Sequence, residues 1–159
     1  MSDETKKCSI VMMSGDMDKV MGGFIIASTA AAMGMETSIF FTFWGLKAIQ
    51  KGNLTGKGLM GKMMSVMNRG GIDRIGPSRL NFGGMGRWMF KKMMKQKNVA
   101  SLPELRQMLI DLDVKLLACQ MSMDVMEISR EDLIDELADC VGAATYVAEA
   151  QESDITLFI

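Results

Sequence analysis

Hydrophobic and polar positions along this chain alternate between short, nearly continuous apolar runs and longer mixed segments rich in small residues. Cys8-Ser-Ile-Val-Met-Met13 is such a run, closed by Ser14-Gly15-Asp16, and predicts a buried parallel strand. Val20 to Met33 predicts a helix packed close to a sheet through Gly22, Gly23, Ala27, Ala30, Ala31 and Ala32. Asp16 or Asp18 is placed to cap it, and Gly34 stands where a helix-ending glycine belongs. Glu36 to Phe41 predicts a second strand, with Thr42-Phe-Trp-Gly45 crossing its carboxyl end and a short helix over Leu46 to Lys51. Strand, helix, strand, helix at this spacing makes a parallel βαβ arrangement. Further on, Ser101 with Glu104 three residues later starts a helix running to about Asp111. Val114 to Ala118 predicts the third strand, and Ser129 caps a short acidic helix to about Glu136. Leu137 to Val141 predicts a fourth strand, Ala143 to Ser153 a helix, and Ile155 to Ile159 the last strand. Five strands alternating with helices predict a single three-layer α/β/α domain over residues 1–159, with a mostly parallel sheet.

Residues 52–100 interrupt that pattern. They hold ten of the 16 glycines and eight of the 19 methionines, with Pro77 near their middle. Leu59 to Met67 predicts a Met-faced helix, Arg87 to Lys97 a basic amphipathic one, and Arg69 to Arg79 a loop. An insertion of this length in a compact domain is usually functional or partly mobile. Three readings stay open: a partner or oligomer interface, a lid over Cys119, and a membrane-surface contact through basic residues with Trp88 and Phe90. The methionines follow helical spacing with lysines between them, which favours core or interface over a copper(I) thioether site.

Charge sharpens this picture. The formal net charge is only −1, yet residues 51–100 carry 11 of the 18 Lys and Arg and the single acid Asp73. Residues 101–159 carry 13 acids against three bases. Either these halves face each other, within a subunit or between subunits, or the basic part meets an anionic partner. The chain has no histidine, and its three cysteines form no CxxC, so zinc and haem sites of the usual kinds are not expected. No cofactor and no nucleic-acid partner are expected either. Met1 to Lys7 is polar, and the apolar run after it is broken by Asp16, Asp18 and Lys19, so no secretory leader is expected. The longest uncharged run, Val20 to Met35, is short and rich in small residues for a membrane span. A cytoplasmic protein with reduced thiols is the expectation.

Chemistry concentrates at Cys119. It follows the third strand and precedes a helix start, and ligands in parallel sheets gather outside the carboxyl ends of strands. The unpaired N–H groups of a helix start stabilise negative charge and draw a thiol toward its reactive thiolate. A buried, merely packing cysteine is the competing reading. Asp16 and Trp44 follow neighbouring strand ends and are candidate lining residues, as are Gln120 and Ser122 beside the cysteine. Cys8 opens the first strand, away from such a site, and reads as structural. Ser14-Gly15-Asp16 is neither GxGxxG nor a P-loop, so a nucleotide-dependent enzyme is not supported. Without histidine, a Cys–His hydrolase lacks its base.

Several stretches together carry a family resemblance: Ile10-Val-Met-Met-Ser-Gly-Asp-Met-Asp-Lys19, Phe40-Phe-Thr-Phe-Trp-Gly-Leu46, Gly71-Ile-Asp-Arg-Ile-Gly-Pro-Ser78, Gly83-Gly-Met-Gly86, Ala118-Cys-Gln-Met-Ser-Met-Asp124 and Asp139-Cys-Val-Gly-Ala-Ala-Thr145. In order and placement they resemble the DsrE/DsrF/DsrH-like family of small sulfur-relay proteins, in the branch with a Met- and Gly-rich insertion. The resemblance implies a Rossmann-like domain assembling into trimers or hexamers. It implies a cysteine, here Cys119, that holds sulfane sulfur as a persulfide and passes it to a small sulfur carrier of the TusA kind. It also makes Cys140 a candidate second thiol. The competing class is a non-catalytic oligomeric adaptor that docks a partner or membrane surface through the basic insertion.

Overall fold

The computed structural model describes residues 5–159; the first residues of the polar stretch ahead of the first strand lie outside it. Five strands form one sheet: β1 (Lys7–Met12), β2 (Glu36–Phe41), β3 (Lys115–Cys119), β4 (Asp139–Val141) and β5 (Ile155–Phe158). Their order across the sheet is β4-β3-β2-β1-β5, and every pairing is parallel. The central strands are buried on both faces after their first residue, which explains why they read as continuous apolar runs.

Six α-helices accompany the sheet: α1 (Met17–Ala32), α2 (Leu59–Met67), α3 (Met85–Gln96), α4 (Leu102–Asp111), α5 (Gln120–Val125) and α6 (Ala143–Gln151). Helices α1 and α4 pack side by side on one face, enclosing the main core around Ile10, Met12, Phe24, Ile39, Phe41, Leu109 and Leu116. The opposite face carries a smaller cluster, Val11, Phe40, Leu117 and Cys119, beneath Val141 and Tyr146 of β4 and α6. Alternation along each strand sends successive side chains to opposite faces, and this divides the two clusters. Among the described residues no helix is long and apolar enough to cross a membrane.

The boundaries differ from the sequence expectation where tertiary contacts intervene. Helix α1 begins at Met17, whose N–H donates to the Gly76 carbonyl at 2.8 Å. Asp16 holds the N-cap backbone position without a capping hydrogen bond, while the Asp18 carboxylate accepts from the Ser78 N–H and hydroxyl. Ser101 caps α4 as expected, in a full capping box with Glu104. The expected acidic helix after Ser129 shrinks to one 3₁₀ turn, Arg130–Asp132. Leu133 leaves it to pair with Gln50, and the Ile134 N–H donates to the Ile49 carbonyl, so strand-like pairing diverts the chain. The stretch Arg69–Arg79 is anchored as well: Ile72, which opens a single 3₁₀ turn, and Ile75, which follows it, enter the main core.

Candidate functional site

Cys119 is the last residue of β3, and its backbone remains extended as the chain enters α5. Parity along β3 turns Leu116 and Ala118 toward α1 and α4, and Leu117 and Cys119 toward α6. Only 3% of Cys119 is exposed. Its thiol belongs to the cluster where the Tyr146 ring stacks on Phe40 at 5.1 Å between centroids. The setting is a sulfur atom at a strand-to-helix turn, in an apolar cluster that Tyr146 packs against.

The residues expected around this thiol distribute unequally. Ser122 is fully buried, and its hydroxyl lies 2.8 Å from that of Thr42, tying α5 to the carboxyl end of β2. Gln120 donates to Asp124 at 2.8 Å and faces a surface cavity. Asp16 bonds to the Ser14 hydroxyl and pairs with Lys19 at 3.4 Å. Trp44 lies in a shallow recess with Lys47, Met64, Met126 and Ile128, between the turn after β2 and α2. The contacts of these last two are therefore with α1 and with the insertion. Burial lowers the pKa of Lys47, opposed by the nearby Asp16 charge.

Cys140 registers with Ala118, whereas Cys119 registers with Val141. The two thiols consequently point to opposite faces of the sheet. Cys140 is half-buried and lines a cavity of about 700 Å³ with Gln120, Asp124, Glu127, Arg130 and Asp139. Burial pushes its thiol up from the usual range, Arg130 pulls it down, and Asp139 pushes it up. Arg130 is itself fixed by donating to the carbonyls of Leu133, Ile134, Asp135 and Leu137. Cys8 lies at the opposite end of the sheet, paired with Thr37 and Ile155, and burial raises its thiol.

Glu127, which no sequence signal singled out, holds α2 beside the Cys119 turn. Its carboxylate accepts from the N–H groups of Gly58 (2.8 Å) and Lys57 (2.6 Å), and these bonds hold it below the ordinary glutamate range. The glycines explain the approach. Gly56-Lys-Gly-Leu-Met-Gly61 spells GxGxxG at the opening of α2, and a Cβ on Gly61 would lie 2.6 Å from the Glu127 carboxyl carbon. This glycine motif thus cradles a carboxylate of the same chain, a pairing that only the fold reveals. The α1 start is likewise occupied, by the Gly76 carbonyl and Ser78.

The contribution of Glu127 follows the sign of its shift. A carboxyl with a lowered folded value stabilises above its unfolded value of about 4.3 and loses that effect as pH falls through the folded one. The clasp should be complete at neutral pH and release only in acid, read by the Gly58 amide resonance against pH. Glu127→Ala should speed amide exchange at Lys57 and Gly58 by roughly tenfold or more at neutral pH, a local opening. Unchanged exchange would mean that α2 is held by other contacts.

Comparison with known proteins gives a consistent picture. A family model described as the DsrE/DsrF/DrsH-like family matches residues 4–158. The chain is 44% identical over 161 residues to the uncharacterized protein YrkE of Bacillus subtilis (strain 168), covering all of both chains. It is 38% identical over 163 residues to the sulfur carrier protein DsrE2 of Allochromatium vinosum, covering 98% of this chain and 99% of that one. Among solved structures, the ychN protein from E. coli superposes with a TM-score of 0.56 over 98% of this chain and all of its own. At 12% identity that likeness concerns the fold alone.

Proposed function

This chain belongs to the DsrE/DsrF/DrsH-like family, and on that premise we propose that it is a sulfur carrier holding sulfane sulfur as a persulfide on Cys119. The reading rests on one observation above all: the thiol ends β3 at the turn into α5, inside an apolar cluster under the Tyr146–Phe40 stack. A soft, polarisable sulfane sulfur is compatible with such surroundings, and exclusion of water there limits side reactions.

The chemistry needs only thiols. The Cys119 thiolate attacks the terminal sulfur of a donor persulfide; the donor S–S bond breaks and the donor thiolate leaves. An acceptor thiolate then attacks the terminal sulfur of Cys119–S–SH, and the Cys119 thiolate is regenerated with no net oxidation. The acceptor in this reading is a small carrier protein of the TusA kind, and the setting is the cytoplasm, where thiols stay reduced. Ser122 and Gln120 position the turn, and Cys140 is a second thiol outside the first transfer. The protein acts as a homo-oligomer, a trimer or hexamer.

A docking-module reading, in which Cys119 only packs, draws on the outward apolar residues of α2 and α3. Mass spectrometry separates the two. After incubation with a low-molecular-weight persulfide, the intact wild-type protein should gain one sulfur atom that dithiothreitol removes. No gain under native conditions would discard the carrier reading.

A further inference from the structure

The most exposed apolar surface of the molecule lies on the insertion. On α2, Gly61 and Ser65 are buried, whereas Leu59, Met60, Met63, Val66 and Met67 face solvent. On α3, only Gly86 is buried, and Met85, Trp88, Met89 and Met93 form an outward stripe at helical spacing. Trp88 is 63% exposed, with the Lys92 ammonium 5.2 Å from its ring centroid. Such a stripe, bordered by cations, has the form of an interface left without its partner.

The chain itself carries the complement. Among the described residues, one ion pair joins the basic segment to the acidic half, Lys51–Asp135 at 2.8 Å, and Lys91 pairs with Asp73 inside the insertion. Among the described residues, Lys92, Lys95 and Lys97 form no ion pair, and neither do Glu131, Glu136 and Asp139 near β4. The cavity of about 700 Å³ beside Cys140 has an acidic lining, with Asp124, Glu127 and Asp139 against Lys57 and Arg130, over an apolar floor of Met123, Ile128 and Ala138. Close by, α5 turns Met121 and Val125 to solvent. A concave acidic surface with apolar patches and a protruding basic, Met-rich helix are thus two unlike faces of one chain.

We infer that α3 of one copy docks into the acidic cavity beside Cys140 of a second copy, with lysines meeting the carboxylates and the Trp88–Met stripe meeting the apolar floor. This rests on the homo-oligomer proposed above and specifies its contact. The interface is heterologous, so repetition closes a ring when the rotation permits. It also places basic side chains of a neighbouring copy next to the β3–α5 turn, so the surroundings of Cys140 are complete only in the assembly.

The test uses two variants of the full chain, each altered on one face at exposed residues: Lys92→Glu with Lys95→Glu, and Glu131→Lys with Asp139→Lys. Circular dichroism checks that both stay folded, and analytical ultracentrifugation gives the masses. Wild type should sediment as an assembly that weakens with salt. Each variant alone should fall to the 17.5 kDa monomer. Their equimolar mixture should recover an alternating assembly, because the unaltered α3 meets the unaltered cavity and the two charge-reversed faces complement each other. A monomeric wild type, an assembled variant, or a mixture that stays monomeric would overturn the inference. Binding of wild type to anionic phosphatidylserine vesicles, lost in the lysine variant while its assembly persists, would reassign the stripe to a membrane surface. Sulfur uptake by Cys119 in the monomeric variants is a separate readout, so failure of the interface and failure of the carrier reading remain distinguishable.

Discussion

Cys119→Ala is expected to reduce sulfur uptake from a persulfide donor to background, while Cys8→Ala and Cys140→Ala still gain one sulfur atom. The three thiols differ by position. Cys8 lies at the amino end of β1, buried, with its thiol raised by burial. Cys140 faces the other side of the sheet from Cys119 and also titrates above the usual range, chiefly through burial. Cys119 alone stands at the carboxyl end of a central strand. Alanine is the informative replacement because serine would leave a hydroxyl in an apolar cluster. Alanine leaves a small void, expected to lower stability by about 1–2 kcal/mol, within what a folded domain of this size tolerates. Intact mass with a denaturation midpoint on each variant checks both parts. Sulfur uptake persisting in Cys119→Ala and vanishing in Cys140→Ala would move the carrier role to the cavity side of the sheet.

Gly45→Ala should cause the largest loss of stability among the glycine replacements near this site, about 3 kcal/mol or more, as for severe overpacking. Gly45 follows Trp44 in the 3₁₀ turn Phe43–Ile49, and its N–H donates to the Met13 carbonyl at 2.9 Å. A Cβ there would fall on the Met12 carbonyl oxygen and 2.8 Å from its carbonyl carbon. Both are backbone atoms of a central strand, so relief requires β1 and the turn after β2 to separate. Gly22→Ala is the control: it lies within α1 with nothing within 4 Å, and should gain about 0.5–1 kcal/mol from helix propensity. Urea midpoints of both variants test the pair. Equal midpoints would mean that the turn yields without disturbing the strand.

Much of the architecture is legible from local patterns. The apolar runs at Cys8, Glu36 and Val114 become the three central strands nearly to the residue, and Ser101 with Glu104 caps α4 as its spacing implies. Strand period and capping chemistry act over a few residues, so local sequence carries them. The acidic segment after Ser129 shows where that ends. Its composition permits a helix, but Leu133 and Ile134 gain partners on Gln50 and Ile49, more than eighty residues away in the chain. Ile72 and Ile75 look like loop residues until α1 and the sheet provide a core to enter.

The candidate site divides in the same way. By itself the sequence determined the parallel α/β order, the place of Cys119 at a strand-to-helix turn, the remoteness of Cys8, and the separation of basic and acidic halves. These follow from periodicity and composition, which are local or additive along the chain. Tertiary structure alone decided which face of the sheet each thiol takes, that Tyr146 packs on the cluster holding Cys119, that Glu127 occupies the glycine-rich start of α2, and that the insertion turns its methionines outward. Those facts depend on strand register and on groups far apart in the chain, such as Phe40 and Tyr146, meeting in space. A one-residue change of register exchanges the two faces of a strand, so only the folded sheet separates Cys119 from Cys140.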